Sequence, residues 1–182
     1  MANSLCTIEA LSKSSGGRHN KSASWTGGII QTNGLHQWQY GFFEASVLLP
    51  AGAGFWPAFW VLCVDNANGD IDEIDIMEFL GDGVSSVYQT VHYNPDNQQQ
   101  VVSENANWTS AYHLFQMLWT ASTVTFYIDN VETASYAVSI DTPCYLLNFD
   151  VGDSSDWSGG VSSSTPSPAY YNIDYVRVYQ LP

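Results

Sequence analysis

Asp72-Glu73-Ile74-Asp75-Ile76-Met77-Glu78-Phe79-Leu80-Gly81 sets four carboxylates among large apolar side chains. In a strand, successive side chains alternate between the two faces of the sheet. Glu73 and Asp75 therefore share one face, and Ile74 and Ile76 share the other. Glu78 breaks that parity: strict alternation drops it into the Ile74/Ile76 layer, where an unpaired carboxylate is costly to bury. One extra residue near Ile76–Met77, a β-bulge, returns Glu78 to the face of Glu73 and Asp75. Bulges re-aim single side chains in this way, often beside active sites. The stretch predicts a strand with one face against an apolar core and the other carrying three acids.

Charge runs on strands are more often solvated surface than chemistry. Here the apolar neighbours and the break in parity favour chemistry. Two carboxyl groups flanking a third on one strand face is the layout a retaining glycosidase needs, with its nucleophile and general acid about 5–5.5 Å apart.

The remainder of the chain suits such a strand. Its 182 residues are enough for one domain (1–182) with a full core, and 45% hydrophobic with 14% aromatic content excludes a disordered chain. Short strand-like runs recur between turn residues, at 5–11, 28–32, 41–49, 55–64, 73–80, 87–93, 112–119, 124–128, 132–136, 145–151 and 171–180. The segment 12–21 reads as a polar Ser/Gly loop, and Asp129-Asn130 as a hairpin turn. No segment shows a 3.6-residue period. The expected class is all-β, a β-sandwich.

Eighteen acids face only four Lys and Arg (Lys13, Arg18, Lys21 and Arg177), for a formal net charge of −14. Such a surface repels nucleic acid, anionic membranes and sulfated or uronate polymers, so the expected partner is neutral. No apolar run approaches the ~20 residues of a membrane-spanning helix. Cys6, Cys63 and Cys144 permit at most one disulfide, and their spacing leaves the pairing open. His19, His36, His92 and His113 are scattered, and no metal is assigned to the site. The Asp65–Asp70 run fails the EF-hand spacing and reads as a turn. GxSxG, Walker and dinucleotide glycine patterns are absent.

Trp56, Ala58 and Trp60 share a face of a regular strand. Two indoles about a small residue form a slot for a sugar ring, against the plainer reading of buried core aromatics. His92, on the strand expected to follow the acidic one, is placed to touch its carboxylates. Trp119 reads as core. Trp38 and Trp157 lie in loop-like sequence, where an aromatic needs a partner or a ligand.

Glu73-Ile74-Asp75-Ile76-Met77-Glu78 resembles the signature of family 16 glycoside hydrolases, in the form with the additional residue found in laminarinases. Tyr40-Gly41-Phe42-Phe43-Glu44-Ala45, Trp56-Pro57-Ala58-Phe59-Trp60, Thr90-Val91-His92-Tyr93 and Asp174-Tyr175-Val176-Arg177-Val178-Tyr179 follow in that family's order and spacing. The resemblance implies a jelly-roll sandwich with a concave glycan cleft and no cofactor. It implies endo-hydrolysis of β-1,3 or mixed β-1,3/1,4 glucan, a neutral β-glucan polysaccharide, with retention. Glu73 is then the nucleophile, Glu78 the acid and base, Asp75 the residue that tunes them, and Trp56, Trp60 and His92 the substrate contacts. Some members hold a structural calcium through their termini; Asp174 stands at the matching C-terminal motif, without matching N-terminal ligands. Two departures bear on the cleft: the residues that usually precede the segment like 5–11 are absent, and Ile29 stands where the family often has Arg. A monomer acting outside the cell is expected, as a mature form behind a new Met, since no apolar signal region opens the chain. The alternative is a lectin-like sandwich that binds without turnover; such a module has no reason to set Glu73 and Glu78 on one face.

Overall fold

The computed structural model describes residues 5–16, 22–64, 71–93, 98–103, 107–151 and 157–182. Thirteen strands occur among them: β1 (Cys6–Gly16), β2 (Ser22–Thr26), β3 (Ile30–Gln31), β4 (Gly41–Leu48), β5 (Phe55–Val64), β6 (Ile71–Phe79), β7 (Val87–His92), β8 (Gln98–Ser103), β9 (His113–Trp119), β10 (Thr123–Ile128), β11 (Val131–Ala137), β12 (Cys144–Val151) and β13 (Ala169–Tyr179). They form a seven-stranded sheet, β11-β10-β9-β4-β13-β1-β2, and a six-stranded sheet, β3-β12-β5-β6-β7-β8. The non-sequential order of antiparallel strands in two packed sheets makes this a β-sandwich of jelly-roll type.

The core lies between the sheets. Phe43, Val47, Phe115, Met117, Trp119, Val124 and Phe126 from the larger sheet meet Phe59, Val61, Ile74, Ile76, Met77 and Val91 from the smaller one, all of them fully buried. Each strand supplies its alternate residues to this layer, as the period of two requires. Trp119 is core, as expected. Trp38 finds its partner in the protein: it packs on the core beside Phe43, with His36 against its ring.

The acidic strand β6 is central in its sheet, between β5 and β7, and the expected bulge is present. Against β5, Trp60 pairs with Asp75 but Phe59 with Met77, so Ile76 has no partner of its own. Against β7, Asp75 pairs with Thr90 and Glu78 with Tyr88, so Ile76 and Met77 both stand opposite Gln89. Ile76 and Met77 stay wholly buried, while Glu78 rejoins the face of Asp75. Gly81 ends the strand where chains pass too closely for a side chain. A Cβ there would lie 2.3 Å from the Gly52 carbonyl oxygen, and the two backbones exchange a hydrogen bond from Gly52 N–H to Gly81 O.

Several sequence expectations need correction. The segment 12–21 is not simply a loop, because β1 continues through Gly16 and pairs with β2. Neither β2 nor β8 was expected; both are edge strands of polar composition, and an edge strand needs no apolar face to belong to a sheet. The run at 28–32 contracts to the two residues of β3. Pro57 falls inside β5, at a register irregularity against β12, where a missing N–H is tolerated. Asp129 and Asn130 do form a two-residue turn, both at positive φ, as a type I′ hairpin requires. Cys63 and Cys144 face each other on β5 and β12 and form the disulfide, leaving Cys6 exposed and free. The Asp65–Asp70 run lies outside the described residues.

Candidate active site

Register places the site on the outer face of the six-stranded sheet. Three cross-strand rows run over it: Leu62, Glu73 and His92; Trp60, Asp75 and Thr90; Ala58, Glu78 and Tyr88. Trp56, two residues before Ala58, completes the face. Trp56, Ala58, Trp60, Glu73, Asp75 and Glu78 line one cavity of about 190 Å³. The sequence-predicted site residues thus converge, and His92 joins them from β7. Its Nε2 lies 3.1 Å from Asp75 Oδ2 and 3.7 Å from Glu73 Oε1.

The acids differ in their surroundings. Glu73 keeps about a third of its side chain exposed, whereas Asp75 is 3% and Glu78 8% exposed as residues. Burial, and then the neighbouring charge of Asp75, push the Glu78 carboxyl from 4.5 up to about 8. Trp56 opposes that rise by donating its indole N–H to Glu78 Oε1 at 3.0 Å, a bond that favours the charged form. The same two causes lift Glu73 only to about 7, and His92 pulls it back. Asp75 is raised by burial and lowered by its bond to His92, while that bond raises the imidazole. Both outer carboxyls are thus raised, and the rise is greater for the more enclosed Glu78.

Trp56 is therefore more than a flat platform, since it aims the Glu78 carboxyl. Its ring meets Trp157 edge-on at 5.9 Å, and Trp157 in turn meets Tyr88 at 4.5 Å. Trp157 is 46% exposed, so this cluster forms an accessible aromatic wall beside Glu78. Tyr88 and Thr90 stand beside Glu78 and Asp75 on the same face, and the sequence reading did not name them. Counting back by two from His92 places both on its face, which is the signal that could have found them. Trp157 was marked in the sequence as a loop aromatic in need of a partner or a ligand, but its place beside Trp56 and Tyr88 came only from the fold.

Glu73, Asp75 and His92 each direct one donor atom to a point where all lie within 4.8 Å of one another, the one such group of three or more His, Cys, Asp or Glu among the described residues. Asp174, named for a structural calcium, is exposed and belongs to no such group among those residues.

The same fold occurs in solved structures. The laminarinase catalytic domain of Thermotoga maritima superposes with a TM-score of 0.88 at 27% identity, covering 100% of this chain and 80% of that one. The endo-β-1,3-glucanase of Pyrococcus furiosus superposes with a TM-score of 0.87 at 28% identity, covering 98% and 76%. Among curated relatives, glucan endo-1,3-β-glucosidase A1 of Niallia circulans is 31% identical over 186 residues, and an endo-1,3-1,4-β-glycanase of Rhizobium meliloti is 30% identical over 162. The chain spans only 27% and 34% of the length of those two relatives, while they cover 88% and 86% of it. The model of the family described as glycosyl hydrolases family 16 matches residues 3–177. With the bulged acidic strand, its flanking tryptophans and that match over nearly its whole length, this chain belongs to glycosyl hydrolases family 16.

Proposed function

We propose that this domain is an endo-acting, retaining β-glucanase that cleaves β-1,3 linkages, or mixed β-1,3/1,4 linkages, in neutral glucans. The observation that carries the reading is the bulge. It sets Glu78 on the same face as Glu73 and Asp75, and the enclosed Glu78 stays protonated up to about 8 while Glu73 ionises near 7. One ionised and one protonated carboxyl at neutral pH are the two groups a double displacement uses.

In the first step a Glu73 carboxylate oxygen attacks the anomeric carbon. The bond from that carbon to the glycosidic oxygen breaks, and the leaving sugar hydroxyl takes the Glu78 proton. This leaves a glycosyl ester on Glu73 and a Glu78 carboxylate. In the second step Glu78 removes a proton from water, the water oxygen attacks the same carbon from the face just vacated, and the Glu73 ester bond breaks. Two inversions restore the β configuration. Asp75 lies between the two acids with His92 Nε2 3.1 Å from its Oδ2, and its charge is one of the causes that raise the Glu78 carboxyl.

The indole rings of Trp56 and Trp60 suit the apolar faces of neutral sugars. The named activities of the Niallia, Rhizobium, Thermotoga and Pyrococcus relatives support the glucan substrate and endo action. One relative is named for keratan sulfate, but a chain of net charge −14 repels a sulfated polymer. The same charge supports the exclusion of nucleic acid and anionic membranes. The buried Cys63–Cys144 disulfide supports action in an oxidising, extracellular setting. A monomer is the oligomeric state we propose.

Azide tests the assignment of roles. With an activated aryl β-glucoside, Glu73→Ala supplied with azide should form the α-glycosyl azide, and Glu78→Ala the β-glycosyl azide. Anomers read by NMR that are reversed between the two variants, or full activity of Glu78→Ala on laminarin, would overturn it.

A further inference from the structure

The bulge is held by a side chain that does not face the cavity. Gln89 on β7 lies between the sheets with Val87 and Val91, and all three are 0% exposed. A primary amide at such a position costs free energy unless its groups are bonded. Gln89 stands opposite both Ile76 and Met77, where the inserted residue interrupts the ladder and a carbonyl loses its regular backbone partner. The Gln89 Nε2 donates to Ile76 O at 3.0 Å. At its other end, Gln89 Oε1 accepts from Thr133 Oγ1 at 2.6 Å. Thr133 belongs to β11, the edge strand of the opposite sheet. A buried polar chain thus runs from the bulge carbonyl, through the core, to the far layer of the sandwich.

An apolar residue at this position would fill the core but leave the Ile76 carbonyl and the Thr133 hydroxyl without this partner. What the amide adds is a fixed orientation for the Ile76–Met77 peptide, one residue before Glu78. Without it the extra residue can shift along β6, and a bulge that moves changes the face and the aim of the side chains between its old and new positions. We propose that Gln89, anchored by Thr133, is a positioning residue that holds the β6 bulge and so keeps the Glu78 carboxyl aimed at the glycosidic oxygen. The inference rests on the reading of Glu78 as the general acid, and it assigns Gln89 no contact with substrate.

A misaimed acid has a particular signature. A glucan leaving group is a poor one and needs the proton, whereas 2,4-dinitrophenolate leaves without it. Gln89→Leu, similar in volume and unable to bond the carbonyl, should lower kcat/KM on laminarin by about 10–100-fold, within the range general acid catalysis supplies. Glycosylation by a 2,4-dinitrophenyl β-glucoside, read as the burst of dinitrophenolate, should fall by about threefold or less. Thr133→Val should act in the same direction more weakly, and Thr133→Ser, which keeps the hydroxyl, should restore laminarin activity. Thr133 is half-buried on an edge strand, so this pair makes the measurement even where Gln89→Leu fails to fold. Equal losses on both substrates, or none on either, overturn the inference. Glu78→Ala is the reference. If it discriminates between the substrates and the Gln89 and Thr133 variants do not, this inference alone falls; if it fails to discriminate, the role given to Glu78 falls first.

Discussion

Replacing Glu78 with Gln should stabilise the fold at neutral pH and leave its stability unchanged in acid. Burial and the nearby Asp75 raise the Glu78 carboxyl from 4.5 to about 8 in the folded chain, with the Trp56 N–H opposing. Below pH 4.5 the group is protonated whether the chain is folded or not, and it costs the fold nothing. As pH rises above 4.5, the unfolded chain loses the proton and the folded chain retains it. Stability then falls by about 1.4 kcal/mol per pH unit until the folded group titrates near 8. At pH 7 the accumulated cost is about 3 kcal/mol. The Gln side chain has nearly the same shape, still accepts from the Trp56 indole, and carries no such cost. The variant should therefore gain about 3 kcal/mol at pH 7, or about 6–12 °C in Tm for a domain of this size, with a difference near zero at pH 4. Urea unfolding of both proteins at pH 4, 5.5 and 7 measures the trend. A gain independent of pH, or a loss that grows toward neutral pH, would show that Glu78 is not a buried neutral acid, and the assignment of its proton would fail.

Other consequences follow from the same contacts. The pair should give a bell-shaped pH dependence of kcat/KM, with an acid limb near 7 and a basic limb near 8 as joint properties of Glu73 and Glu78. His92 lowers the Glu73 carboxyl, so His92→Gln should move the acid limb to higher pH; a downward move would refute the arrangement. Trp60 is half-buried and lines the cavity, so Trp60→Ala should raise KM on laminarin by the equivalent of about 1–3 kcal/mol of ring stacking, taking bases on aromatics as the scale. A large fall in Tm with unchanged kinetics would return Trp60 to the core. Cys63 and Cys144 close a loop with a sequence separation of 81, and Cys63→Ala with Cys144→Ala should cost about 4 kcal/mol of stability in urea unfolding; a cost below about 1 kcal/mol would show that the cross-link constrains little.

How far the molecule can be read from its sequence differs from element to element. The acidic strand, its bulge and the shared face of Glu73, Asp75 and Glu78 were legible because side-chain alternation is a local property. A carboxylate in an apolar phase forces a break in that alternation wherever the strand is placed. The Asp129-Asn130 turn was legible for a similar reason, since both residues tolerate positive φ. Strands β2 and β8 were not, because edge strands are recruited by a neighbour's open hydrogen bonds and need no apolar period of their own. The disulfide partner became definite only when β12 was laid against β5 and brought Cys144 opposite Cys63.

The site divides along the same line. The sequence by itself determined which carboxyl groups share a face, because that depends on counting residues along one strand. Which of them keeps its proton was decided by the tertiary structure, since the proton balance depends on burial and on the indole, the imidazole and the neighbouring carboxyls that β5, β6 and β7 bring around each acid. Trp56 could be recognised as a cleft residue from its spacing to Trp60, but its bond to Glu78 required β5 and β6 in register. Gln89 reads in the sequence as one more polar residue among valines; it acquires a meaning only when the strand opposite proves to carry a residue too many.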